Sequence, residues 1–385
     1  MSLSRRSLVI KGGAAALVLT AGGGSFLLTR RPDAALIPWQ VASQMFADPR
    51  LQALSYAILA PNPHNRQPWL VELRGEHELV LYCDLDRTLP ETDPEGRQIM
   101  IGLGCFLELL RLAASEQGQI AEIDTFPEGS APDRLTATPI ARVTFRQDQG
   151  ERPDPLMKQV LKRRSNKEPF DLQKPVTSSD LRVLNKAAGS GSGVASTNDP
   201  ARVATLRDLT WRAMETELRT PRANLECVRL MRIGKAEIEA NPDGIDLGGP
   251  FLETLSLLGE LTREGLADPN SAAFQQGLDL FRGLTGTAMA HIWVITEDNS
   301  RNAQLAAGRA WLRVNLKATE LGLSLQPLSQ ALQEYLEVQP YFEEVHKHLA
   351  AGHGRRIQML GRLGYGPEID PSPRWPLATR LRKAS

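Results

Sequence analysis

The spacing of apolar residues changes period several times along this chain. Phe106, Leu109, Leu110 and Ala113 are spaced i, i+3, i+4, i+7, which predicts an amphipathic helix closed by Gly118. Trp311, Val314, Ala318 and Leu321 form a matching stripe closed by Gly322. Two apolar runs, Trp69 to Leu73 and Leu79 to Cys83, flank Gly75-Glu76 and predict a hairpin, and His291 to Thr296 predicts a buried strand. Between Thr220 and Gly286 regularity is lost, with turns at Asn241-Pro242-Asp243-Gly244 and Gly248-Gly249-Pro250. A segment this long predicts an insertion that serves as a lid or binding loop.

The two helical stripes belong to an internal repeat. Residues 104–118 read GCFLELLRLAASEQG and residues 308–322 read GRAWLRVNLKATELG. Gly104 aligns with Gly308, Leu112 with Leu316, Ala114 with Ala318, Glu116 with Glu320 and Gly118 with Gly322. A polar stretch with two prolines, Gln147 to Pro155, supplies a boundary. The expected layout is a 31–155 half and a 156–385 half, the second carrying the 220–286 insertion and a Gly-Ser loop at 189–193.

The first 30 residues have a different pattern. Arg5-Arg6 precedes a weakly apolar, Gly- and Ala-rich stretch from Gly12 to Thr29, the n-region and h-region of an export signal. The arginine pair resembles a bacterial twin-arginine signal. That implies the twin-arginine export machinery as a partner, and the periplasm or outer face of the cytoplasmic membrane as the destination. No clear A-x-A cleavage site follows, which leaves an uncleaved membrane tether open. The twin-arginine route carries folded proteins, often with a cofactor already loaded.

Composition narrows the chemistry. Lys and Arg number 45, as do Asp and Glu, so the balanced charge removes the electrostatic case for nucleic acid. A hydrophobic share of 42% with 23% charged residues suits a soluble globular core. Three cysteines, Cys83, Cys105 and Cys227, show no metal-ligand spacing and leave room for one disulfide at most. Cys105 falls within the first apolar stripe and reads as core packing.

Two short segments concentrate polar chemistry. Residues 161–170 read LKRRSNKEPF: guanidinium forks suit phosphate oxygens, Ser165 adds a donor, and Lys167 adds a mobile charge. A basic helix end in solvent has the same residues. Residues 61–69 read PNPHNRQPW, where prolines stiffen a loop that offers side-chain amides. A plain turn before a strand reads the same way.

Together the segments resemble the nitroreductase superfamily of FMN enzymes. RRSNK at 163–167 is similar to that family's R-[RH]-S-x-[RK] motif. PNPHNRQPW is similar to P-S-x-x-N-x-Q-P-W, with Asn62 in place of Ser. ATELGL at 318–323 with Gln326-Pro327, and the closing Leu363-Gly364-Tyr365 and Pro371 to Pro376, add to the resemblance. The signal, the motif order and 232–245 resemble the Acg-type branch.

The resemblance implies an α+β fold, a sheet sandwiched by helices, duplicated in one chain. Ordinary members form homodimers in which each FMN takes one motif from each subunit. Here the first half has PNPHN without RRS, and the second has RRS without a following PSxxN. A pseudo-dimeric monomer with one FMN site between the halves is therefore expected. In it Arg163 and Arg374 hold the phosphate, while Arg164, Ser165 and Lys167 line the ribityl and pyrimidine side. Pro61, Asn62, Pro63 and Asn65 close the site from the other half, and Pro327 and Ser329 approach the ring's far edge. His64 reads as a loop-stabilising residue, because the chemistry belongs to the flavin. No metal is implied. The implied activity is two-electron transfer from a small-molecule donor to a small acceptor, a quinone or nitroaromatic. The rival is an exported flavin-binding or sequestering protein with little turnover.

Overall fold

A computed structural model describes residues 30–148, 150–189, 191–349 and 354–383. The export-signal reading of residues 1–30 lies, but for Arg30, outside the described residues. In the first half, helices α1 (Asp33–Val41) and α2 (Pro49–Ala57) lead through a loop to strands β1 (Trp69–Arg74) and β2 (Glu78–Cys83). Helix α3 (Arg97–Ser115) and strands β3 (Gln119–Thr125) and β4 (Ala141–Gln147) complete it. The predicted hairpin forms, with Trp69 opposite Cys83 and Arg74 opposite Glu78. Helix α3 is buried at every position but Arg111, so it is a central core helix rather than a surface one. Its apolar start is closed by Asp93, whose carboxylate accepts from the amides of Gln98 (3.0 Å) and Ile99 (2.9 Å). Arg97, buried beside it, bonds Leu332 O and Gln358 O at 2.7 Å, which ties this helix to the second half.

The second half repeats the layout. Helix α4 (Ser178–Asn185) and strand β5 (Gly193–Thr197) come first. Helices α5 (Pro200–Arg219) and α6 (Pro221–Leu230), strand β6 (Met231–Ile233), helix α7 (Gly234–Ala240) and strand β7 (Ile245–Leu247) follow. Helices α8 (Pro250–Leu257), α9 (Arg263–Ala267) and α10 (Ala272–Thr285) then lead to strand β8 (Ala290–Thr296) and helix α11 (Arg301–Glu320). Strand β9 (Ser324–Pro327), helix α12 (Gln339–Leu349) and strand β10 (Arg356–Gly364) close the half. Its antiparallel sheet runs β5-β8-β10-β9, and that of the first half runs β1-β2-β4-β3. Matching β1 to β5, β2 to β8, β3 to β9, β4 to β10 and α3 to α11 reproduces one topology twice. The fold is thus α+β and internally duplicated, with the two long helices packed together at the centre.

The repeated glycines explain how closely those helices approach. A Cβ on Gly104 would lie 2.2 Å from Leu305 O, and one on Gly308 would lie 2.1 Å from Ile101 O. Only glycine permits this backbone contact. The Cys105 thiol sits in the same crossing, 3.1 Å from Gly308 O. Gly118 and Gly322, which end the repeat, both adopt left-handed φ, 65° and 70°.

The halves differ at one place. The first closes β1 to β2 with Gly75, Glu76 and His77, whereas the second inserts residues 198–289 between the equivalent strands. The expectation of irregular chain over 220–286 is corrected: most of it is helical, in short amphipathic pieces. All three cysteines are free and buried, so the room left for a disulfide is not used.

Candidate functional site

The 61–68 loop rests on the central helix. A Cβ at Gly102 would meet Asn62 Cβ at 3.0 Å and Pro63 Cδ at 3.3 Å, so a small residue there admits the loop. Asn62 is turned inward: its Oδ1 accepts from Gln67 N at 2.7 Å and its Nδ2 donates to Ala60 O at 3.1 Å. Three non-glycine residues, His64, Asn65 and Gln67, are left-handed, with φ of 47°, 52° and 52°. Strain of this kind persists only where the surroundings over-determine it. They do so here. Gln67, fully buried, donates to Pro242 O at 2.7 Å and accepts from Trp375 N at 2.9 Å, while Asn65 donates to Pro373 O at 2.9 Å.

Three guanidiniums from the second half gather at the base of this loop, and Arg374 bonds it directly. Arg163 is buried and donates through Nη2 to Leu59 O at 3.2 Å. Its Nε and Nη1 have no protein acceptor among the described residues, and neither is sealed from solvent. Arg374 differs, because all five of its N–H groups are taken. Nε donates to Ile58 O (3.0 Å), Nη2 to Leu59 O and Ala60 O (both 3.1 Å), and Nη1 to Asn65 Oδ1 (2.6 Å) and Pro373 O (2.9 Å). Arg164 donates to Leu161 O, Arg163 O and Ile369 O and lies 5.2 Å over the Trp39 ring. The Arg374 guanidinium faces the same ring at 5.5 Å.

No ion pair neutralises these three among the described residues. Burial, then the Arg164 charge, pulls the Arg163 guanidinium down to about 10. Burial, then Arg163 and Arg164, pushes Arg374 well below the usual arginine range. Arg164 is lowered by burial and partly restored by Asp370 and Glu368. A cationic cluster at the junction of two halves, in which Asp370 and Glu368 act on Arg164 alone of the three and none of the three forms an ion pair among the described residues, suits a multiply charged anion.

The other end of the RRSNK segment is fixed separately. Asn166 N donates to Leu325 O at 3.0 Å, and its Nδ2 donates to Ser324 Oγ (3.1 Å) and Pro367 O (2.8 Å), so the segment lies along β9. Lys167 follows with an exposed side chain, and surrounding protein lowers its ammonium, opposed by Asp246 and Cys227. Lys167 also bears on His64 of the first half. Burial, then Lys167, then Arg66, pulls that imidazole down to about 4, so it is neutral at pH 7. His64 Nε2 lies 3.4 Å from the Cys227 thiol of the insertion.

The structure therefore brings Arg163, Arg164, Arg374, Asn65 and the Pro61–Pro63 turn to one junction, and Lys167 to His64. Ser165 is half-buried between the two groups. Pro327 pairs with Gly361 on β10, and Ser329 lies just beyond, its hydroxyl without a protein partner among the described residues. Sequence reasoning missed Trp39, Gln67 and Cys227. Gln67 could have been found within the NRQPW run, but Trp39 and Cys227 carry no local signal. It also missed Asp243, which holds Arg66 (3.0 Å), Arg87 (2.6 Å) and Arg232 (2.8 Å) and so anchors the insertion beside the loop.

No family model matches the chain. A candidate NAD(P)H nitroreductase of Mycobacterium tuberculosis strain H37Rv is 26% identical over 331 residues, which cover 84% of this chain and 87% of that one. The candidate NAD(P)H nitroreductase Acg of the same strain is 33% identical over 93 residues, covering 24% of this chain and 28% of that one. An uncharacterized protein of that strain is 37% identical over 125 residues, covering 31% of this chain and 35% of that one. In these last two the match spans about a third of the relative's length or less. Among solved structures, the FMN-dependent nitroreductase NfnB of Mycobacterium smegmatis, in complex with NADPH, overlies 59% of this chain and 97% of its own. The TM-score is 0.37 and the identity 16%, too loose to transfer any contact. The chain is thus similar to nitroreductases of one species, to one of them over most of its length and to Acg over about a quarter of its length.

Proposed function

We propose that the junction holds one FMN per chain and that the protein passes two electrons through it to a small acceptor of quinone or nitroaromatic type. The observation that carries this reading is the trio Arg163, Arg164 and Arg374, which no ion pair neutralises among the described residues, with Arg163 Nε and Nη1 left without a protein acceptor there. Arg163 would bond the phosphate directly. Arg374, whose donors are spent on residues 58–60, Asn65 and Pro373, would contribute charge and hold the loop in shape. Lys167 would place positive charge at the ring end, where it stabilises an anionic reduced form. Ser165, Pro61, Asn62, Pro63, Asn65, Pro327 and Ser329 would wall the site. The flavin supplies the two-electron chemistry, and the protein supplies binding, orientation and electrostatics.

Residues 1–30 would direct the protein through the twin-arginine machinery to the periplasm or the outer face of the cytoplasmic membrane, cleaved or tethered. The insertion contacts the loop through Pro242 and Cys227, which also favours the second reading, a flavin-holding protein with little turnover. The test is an absorption spectrum of the purified protein before and after NADPH without oxygen, followed by addition of a quinone. One FMN per chain, reduced and reoxidised over many cycles, supports the reductase. Bound FMN that does not cycle supports the holding protein. Protein that neither carries nor takes up FMN refutes both.

A further inference from the structure

The insertion reaches the 61–68 loop through one side chain with chemistry of its own. Cys227, on α6, is buried, and burial raises its thiol well above the usual range, so the sulfur keeps its proton. Its Sγ lies 3.4 Å from His64 Nε2. His64 is neutral and left-handed, in the strained stretch of the 61–68 loop. Its other ring nitrogen, Nδ1, is buried without a partner among the described residues. The Lys167 charge also acts on the imidazole and lowers it.

A neutral imidazole has one donor and one acceptor nitrogen, and the partner of one decides the role of the other. A protonated thiol facing Nε2 has a proton to give, and Nε2 can accept it. The ring proton then sits on Nδ1, where no protein group takes it. A buried donor without an acceptor is costly, and such a group in a native site points to a ligand that completes it. We propose that the Cys227 thiol fixes His64 in the Nδ1–H form, so that the unpartnered Nδ1 donates a hydrogen bond to an acceptor atom of a ligand bound at the 61–68 loop. With the flavin reading above, on which this rests, that atom is a pyrimidine oxygen or nitrogen. Cys227 is thus a positioning residue, and the insertion tunes the cofactor of the half it covers.

Two measurements test this. The first is the nitrogen NMR spectrum of the histidine side chains in flavin-loaded protein, for the natural chain and for Cys227→Ser, Cys227→Ala and Cys227→Val. The second is the affinity of each for oxidised and reduced FMN. The natural chain and Cys227→Ser, which keeps a donor, should show the Nδ1–H form and bind within about twofold of each other. Cys227→Ala and Cys227→Val should mix the tautomers and weaken FMN about threefold to tenfold, the effect of one net hydrogen bond. In a His64→Ala background the same changes at Cys227 should have no effect on affinity. An Nδ1 without its proton in the natural chain would overturn the proposal. So would serine and alanine variants that bind alike, or a Cys227 effect that survives in His64→Ala. Two different no-donor variants guard against one that packs badly. If FMN does not bind at all, the flavin reading fails with it. If FMN binds and the variants are indistinguishable, only this inference fails.

Discussion

Arg163 and Arg374 are neighbours, both buried and both expected at a phosphate, yet replacing them one at a time with glutamine should move stability in opposite directions. Arg374→Gln removes a guanidinium that satisfies the carbonyls of Ile58, Leu59, Ala60 and Pro373 and the Asn65 side chain. A glutamine amide has two donors and replaces two of five bonds at best. Removing a charge that burial disfavours offsets part of the loss, but stranding several buried acceptors still leaves a net cost of about 3–5 kcal/mol. At roughly 2–3 °C per kcal/mol for a chain of this size, flavin-free Tm should fall about 6–15 °C. Arg163→Gln loses one bond, to Leu59 O, worth about 1 kcal/mol. It also removes a charge that the folded state disfavours. A guanidinium brought from 12.5 to about 10 means that folding works against its charged form at neutral pH. At 1.36 kcal/mol per pKa unit, relief is about 3 kcal/mol. Flavin-free Arg163→Gln should therefore hold its Tm or gain a few degrees. Both variants should still bind FMN tenfold to a hundredfold more weakly, the loss of about 1.5–3 kcal/mol of charge-assisted contact. The assay is differential scanning fluorimetry of stripped protein alongside FMN titration. Equal losses of Tm in both, or Arg163→Gln that retains FMN like the natural chain, would refute the reasoning.

Gly104→Val or Gly308→Val should prevent folding or cost more than about 3 kcal/mol in urea melts, since each new Cβ would strike backbone 2.1–2.2 Å away; native-like stability in both would show that the helices can part. Flavin-free protein should lose stability as pH falls below about 6.5. The unfolded chain protonates its histidines there, whereas folded His64 and His291 stay neutral to about 4 and about 3. Each contributes a loss of about 2 kcal/mol by pH 5, levelling off below its folded value, while Asp93, raised by burial to about 6, returns about 1 kcal/mol; equal urea midpoints at pH 7 and pH 5 would contradict this. Replacing residues 250–268, which include α8 and α9, by a short linker should raise quinone turnover at equal flavin content, if the insertion is a lid. Unchanged turnover, or loss of FMN, would make that segment part of the core or of the site.

The parts legible in the sequence were those whose periodicity the core dictates. The 104–118 and 308–322 repeat gives the two central helices because Gly104 and Gly308 must face each other across their crossing. The hairpin from Trp69 to Cys83 shows because alternation with a glycine turn has few other readings. The insertion was illegible for the opposite reason. Helices of five to fourteen residues such as α9 and α10 are too short for periodicity to separate from turns. At the site, residue types were readable but their allegiance was not. RRSNK announces cations, yet nothing in it says that Arg163 keeps free donors while Arg374, more than 200 residues on, spends all of its own on the loop. Cys227 bears on His64 only through the fold.

The asymmetry between the halves suggests why fusion suits this protein. In a symmetric dimer any change to one chain appears at both sites. Once the halves share a chain, they can diverge. The first half keeps the short β1–β2 link and the PNPHN loop. The second, whose equivalent loop from Lys186 to Ser192 has neither proline nor asparagine, opens the corresponding link into residues 198–289. That insertion turns to the loop of the other half: Pro242 O accepts from Gln67, Asp243 pairs with Arg66, and Cys227 meets His64. An element fitted to one loop gains nothing at a second site that lacks it. On the one-site reading proposed above, losing one site and elaborating the other would be a single structural change, one that a duplicated single chain permits and a homodimer does not.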